Sequence, residues 1–164
     1  MTRFTALLGA AALSFGAGMA MAAPVNVSAV LTPQEQIRVP LEDGTKHFVL
    51  AVRRTGEMEG EGAFAGADVT EIGWHDIDPP RGGDPQGYLK LTMANGDVAV
   101  LRFTVRAVFF KGAEGPSLSD YGFWELVGGT GGFEGMRGVG TLQIHPAGGP
   151  KREFTLTGEV GEAP

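Results

Sequence analysis

Apolar positions in this chain alternate with polar ones in short runs, and beyond residue 22 no 3.6-residue apolar period persists for three turns. Between Lys46 and Arg54, Phe48, Leu50 and Val52 share one face. Further on, Val69, Glu71 and Gly73 alternate with Thr70, Ile72 and Trp74. Leu89, Leu91 and Met93 alternate before Asn95-Gly96, and Ala99, Leu101, Phe103, Val105, Ala107 and Phe109 after it. From Glu153 to Val160 a closing strand buries Phe154, Leu156 and Val160. A period of two marks half-buried strands, so the pattern predicts an all-β chain of seven or eight strands.

The hairpin at Asn95-Gly96 fixes its own register. A two-residue loop would set Leu89 opposite Arg102 and mix the two faces. A three-residue loop, Ala94-Asn95-Gly96, sets Leu91 opposite Ala99 and Leu89 opposite Leu101, leaving Tyr88, Lys90 and Arg102 on the other face. Since a one-residue slip reverses every side chain, burial selects the longer loop, with Gly96 in the left-handed region. Elsewhere the pattern is weaker. Val25 to Val27 and Val30-Leu31 suggest a first strand, and Pro33 to Gln36 a helical turn or loop. Asp76 to Gly87, with three prolines, and Lys111 to Gly122 read as long loops, and Ala147 to Lys151 as a turn.

Two glycine-dense blocks punctuate the strands. Gly60, Gly62, Phe64 and Gly66 repeat 69 residues later as Gly129, Gly131, Phe133 and Gly135, both following Gly-x-Gly-x-Phe-x-Gly. Glycine permits sharp bends and close backbone approach, and the phenylalanine anchors each bend. Strand length and these corners favour closure into a barrel, which removes exposed edges.

The run Val127-Gly128-Gly129-Thr130-Gly131-Gly132-Phe133-Glu134-Gly135-Met136-Arg137-Gly138 resembles the GGTGxFxGAxG signature of dirigent proteins, and its Gly-x-Phe-Glu-Gly core is similar to allene oxide cyclase. The resemblance covers Phe103 to Val160. It implies a closed antiparallel eight-stranded, calycin-like barrel with an apolar cavity, often in trimers. It also implies steering chemistry, ring closure beside a glutamate and an asparagine in one family and phenoxy-radical coupling beside acidic and aromatic groups in the other. Of Glu61, Glu125 and Glu134, only Glu134 matches a family position, and that position lies in the corner motif. Asp76, Tyr88 and Tyr121 match none.

Residues 1–22 read as a signal peptide, with Arg3, an apolar run from Phe4 to Phe15 and an Ala20-Met21-Ala22 cleavage site, leaving 23–164 as one domain. The expected address is the periplasm or the exterior. All 19 acidic residues but only 12 of the 13 basic ones follow the signal, a balance of about −7 that argues against nucleic acid and anionic membranes as partners. With no cysteine, neither disulfide nor lipid anchor is available.

Catalytic motifs are missing. The serines sit in no nucleophile elbow, His47, His75 and His145 show no ligand spacing, and the glycine blocks lack a phosphate-loop lysine. The stretch from His75 to Asp84 gathers one imidazole and three carboxylates, but Arg81 stands where an EF-hand needs glycine, so neither metal nor cofactor is expected. Candidates for a cavity are Tyr88, Arg102, Arg106, Tyr121, Trp124 and Glu125. If the face of Arg102 and Arg106 lines the interior, they hold an anionic head; if it faces water, they are solvated charges. Three functions follow as expectations: a barrel binding a small apolar or amphipathic molecule, a cyclase or isomerase using one carboxylate, and a structural module forming a homodimer or trimer.

Overall fold

A computed structural model describes residues 22–112 and 115–164. The signal-peptide reading lies outside the described residues, apart from Ala22. The strands are β1 (Ala23–Pro40), β2 (Phe48–Glu57), β3 (Glu59–Gly62), β4 (Asp68–Asp78), β5 (Gly82–Thr92), β6 (Val98–Gly112), β7 (Gly115–Gly129), β8 (Met136–Pro146) and β9 (Arg152–Glu162). All pairings are antiparallel, in the order β2-β4-β5-β6-β7-β8-β9-β1-β3, with β1 also pairing β2. Only Met58 separates β2 from β3, and both pair β1, so together they act as one bent strand. The result is a closed eight-stranded barrel.

β1 seals the barrel by changing partners along its length. Its first half pairs β9, from Ala23 opposite Val160 to Leu31 opposite Arg152, and on its other edge β3. The second half pairs β2, from Thr32 opposite Thr55 to Pro40 opposite Phe48. The predicted break at Pro33 to Gln36 is instead a bulge between Pro33 and Glu35 within one continuous strand. Proline is tolerated there because a bulge already interrupts the hydrogen-bond ladder.

The two predicted long loops are largely strand. β4 runs on to Asp78 and β5 begins at Gly82, so only residues 79–81 turn. β6 and β7 likewise reach Gly112 and Gly115. The Asn95-Gly96 hairpin has the burial-selected register: Leu91 faces Ala99, Leu89 faces Leu101, Met93 N–H donates to Asp97 O at 2.9 Å, and Gly96 has φ 89°.

The barrel has two unlike ends. At one, the glycine blocks fold their phenylalanines inward. Phe64 is fully buried, 5.6 Å from the Trp124 ring and 5.8 Å from Phe133. Phe133 closes a single 3-10 turn (Gly131–Phe133) rather than a bent strand. Gly60 and Gly62 have φ of 125° and 95°, where a side chain would be strained and would strike the backbone of β1. This end is a packed plug. At the other end lie the β1–β2, β4–β5 and β8–β9 connections, and there the interior changes character.

Candidate functional site

Alternation on β4 turns Val69, Glu71, Gly73, His75 and Ile77 inward. Glu71 is fully buried, and both of its oxygens are occupied. Arg54, directly opposite on β2, donates from Nη1 to Oε2 at 2.6 Å, and His75 Nε2 lies 2.9 Å from Oε1. Gly73 makes the second contact possible, since a Cβ there would sit 2.5 Å from both Glu71 Oε1 and His75 Nε2. Arg54 and His75 are themselves buried. Charges so deep persist only when paired and hydrogen-bonded, as this cluster is.

Facing them from β7 is Asp120, 5% exposed. Among the described residues its Oδ1 is buried without a hydrogen-bond partner, as is Arg54 Nε. Burial pushes the Asp120 carboxyl up to about 6, against the pull of His75, Arg152, His145 and Arg54. Arg152, from β9, is lowered by burial and by the neighbouring Arg54. Arg54, His75, Asp120 and Arg152 line a cavity of about 200 Å³ whose remaining walls include Phe48, Leu50, Ile77, Phe109, Leu118 and Ile144. Outside it lies a wider cleft of about 900 Å³, reaching from Gly44, Thr45 and Lys46 to Asp78 and Arg81. The two share Pro79 and Phe109, so the cleft serves as a vestibule to the inner cavity.

His47 braces that mouth. Its Nε2 lies 2.5 Å from Asp76 Oδ1 and its Nδ1 3.4 Å from Asp43 Oδ2, tying the β1–β2 connection to β4. The bond to Asp76 raises the pKa of His47.

The candidates drawn from sequence fall elsewhere. Tyr88, Arg102, Arg106 and Tyr121 are about half exposed or more on the outer surface. Arg102 pairs with Glu125 at 2.6 Å, also outside, and Arg106 pairs with Asp84. Trp124 points inward but belongs to the plugged end. The reason is parity. Leu89, Leu101, Phe103 and Val105 face the core, which sends Tyr88, Arg102 and Arg106 out; Asp120, Trp124 and Leu126 face in, which sends Tyr121 and Glu125 out. A groove of about 470 Å³ beside Phe123 and Glu125 is larger than the inner cavity, yet among the described residues no buried polar side chain lines it.

Sequence reasoning misses the inward cluster of Arg54, Glu71, His75, Asp120 and Arg152, although part of it is in view. Arg54 continues the Phe48, Leu50, Val52 stripe. Glu71-x-Gly73-x-His75 is a strand-spaced acid–histidine pair with room between. Asp120 falls in a stretch that reads as a loop, where alternation says nothing.

The barrel has a solved counterpart. A β-barrel-like protein from Acinetobacter baumannii AYE superposes with a TM-score of 0.51 at 11% identity, covering 89% of this chain and 99% of its own. A conserved protein of unknown function from Rhodopseudomonas palustris gives a TM-score of 0.48 at 12% identity, over 87% of this chain and 99% of its own. No protein-family model matches the chain, and no curated protein matches it. At such identities the first likeness establishes the barrel and nothing about its contents.

Asp120 makes the site measurable without any ligand. A carboxyl whose folded-state pKa stands above its ordinary 3.8 favours the folded state while protonated, and that contribution is lost as pH rises through about 6. A rise from 3.8 to about 6 corresponds to roughly 3 kcal/mol. Asp120→Asn is therefore expected to match the parent near pH 4 and exceed its stability by about 2–3 kcal/mol near pH 8. Urea unfolding at both values checks this; an offset that does not change with pH would show that Asp120 ionises in the folded protein as freely as in the unfolded chain.

Proposed function

We propose that this chain is an exported barrel of the allene oxide cyclase and dirigent type that binds a small, partly apolar molecule in the inner cavity. The glycine–phenylalanine corners and the closed eight-stranded topology support the kinship, and the Ala20-Met21-Ala22 motif supports export. One observation carries the binding reading: Asp120 Oδ1 and Arg54 Nε, both buried and unpartnered, belong to side chains lining one apolar-walled cavity. Unpaired buried polar atoms cost about 1–3 kcal/mol each, a cost that a ligand with its own donor and acceptor removes. The cavity is smaller than the roughly 300–1,000 Å³ sites of drug-sized ligands, so the group held there is small, with any longer body lying in the vestibule.

The test is an amide-shift titration with benzyl alcohol, hexanoate and cyclohexanone, each pairing a polar head with an apolar body. Binding is expected to move the amides of Arg54, His75 and Asp120 and to leave those of the plugged end, around Phe64 and Trp124, in place. Shifts confined to the outer surface, or none with any probe, would overturn the reading. The cyclase or isomerase alternative has support of its own, since it needs an ionisable group inside the barrel and both Glu71 and Asp120 point there.

A further inference from the structure

We propose that the inner cavity is a proton-transfer site that shifts a double bond in a small unsaturated ketone, with His75 as base and Asp120 as acid. The inference rests on the binding reading and adds a reaction to it.

An ionised carboxylate only accepts hydrogen bonds, so the 2.9 Å contact with Glu71 Oε1 places a proton on His75 Nε2. In the neutral ring, Nδ1 then carries the free lone pair. Arg54 fixes the other Glu71 oxygen at 2.6 Å, so the carboxylate that orients the imidazole is itself held. A base steered by a buried, clamped carboxylate is the arrangement that proton abstraction requires. Across the lumen, three strands round the barrel from β4, Asp120 presents an unpartnered oxygen to the same cavity. Its carboxyl, raised to about 6, exchanges its proton close to neutral pH. Leu118, Ile144 and Phe109 wall the same cavity with hydrocarbon.

The step balances without a cofactor. His75 Nδ1 takes a proton from the carbon α to the carbonyl, and that C–H pair becomes a carbon–carbon double bond. The carbonyl π pair takes the Asp120 proton, giving a neutral dienol. The dienol O–H then returns its proton to Asp120 as the imidazolium delivers its own to the γ carbon. A β,γ-unsaturated ketone becomes its α,β-conjugated isomer, and both residues end as they began.

Arg54 from β2, His145 from β8 and Arg152 from β9 face Asp120 and pull its pKa down, as does His75 from β4 when it is protonated, while burial holds it up. The reacting form pairs protonated Asp120 with neutral His75. The acid form is lost above about pH 6, so kcat/KM should fall as pH rises through that value.

The experiment follows conversion of a β,γ-unsaturated cyclohexenone by absorbance of the conjugated product, and by deuterium incorporation in D2O. The full chain is expected to speed conversion at least about 100-fold over buffer, and Asp120→Asn and His75→Gln each to remove about 10²–10⁴ of that. Both variants should keep the ketone-induced amide shifts, and Arg102→Gln, on the outer face, should keep the parent rate. Because Asp120→Asn is expected to be at least as stable as the parent from about pH 4 upward, its lost activity below pH 6 cannot be ascribed to unfolding. Shifts with no acceleration, or full activity in Asp120→Asn, would overturn the catalytic inference and leave binding intact. Absence of shifts with the ketone and with all three earlier probes would remove the binding reading itself.

Discussion

Trp124→Ala is expected to cost about 3–5 kcal/mol of unfolding free energy, because it empties the centre of the plugged end. The indole is fully buried, meets Phe64 edge-on, and donates from Nε1 to Thr157 O at 3.3 Å. Its space is made by glycines on the two following strands. A Cβ on Gly140 would sit 2.6 Å from the indole Nε1, and one on Gly158 would sit 2.7 Å from Cζ2. Gly140→Ala is thus the complementary test: it adds a methyl where none fits and is expected to cost about 1–3 kcal/mol or more. Urea unfolding followed by circular dichroism measures both. A neutral Gly140→Ala would show that the strands part readily and that the glycine run is not shaped by the indole.

These two positions explain how much of the fold is legible in the sequence. The glycine-rich stretch from Val127 to Ile144 signals tight strands and corners, and the two block phenylalanines, Phe64 and Phe133, do meet in space. The Asn95-Gly96 register follows from alternation alone, because Leu89, Leu91, Ala99 and Leu101 leave one consistent choice. Prolines mislead. Pro79, Pro80 and Pro85 look incompatible with strand, yet Pro85 pairs with His75 inside β5. The cavity is less legible for a related reason. A barrel interior is sensed as an apolar face, and here that face carries Arg54, Glu71, His75 and Asp120 in line with Leu and Val. On β4 the inverse holds, with Ile72 and Trp74 more than half exposed. Polarity assigns sides wrongly wherever charges are paired with one another across strands, since only the closed barrel reveals the partner.

Arg54→Met is expected to be as costly as the loss of Trp124, about 3–5 kcal/mol, and for a different reason. It leaves Glu71, with no exposed surface, facing His75 alone and carrying an uncompensated buried charge. Removing both charges together, Arg54→Met with Glu71→Leu, avoids that penalty. The double variant should recover most of the loss, with a coupling energy of about 2 kcal/mol or more in a double-mutant cycle. Additive losses would mean that the pair is solvated in the folded state. A stable double variant has a further consequence. A buried ion pair that apolar side chains can replace at little cost contributes little to the fold. If the same variant no longer shows amide shifts at Asp120 with benzyl alcohol, the role of the pair lies in arming the cavity. Loss of the shifts in a stably folded barrel is the outcome expected here, because the Arg54 Nε donor offered to a ligand is gone.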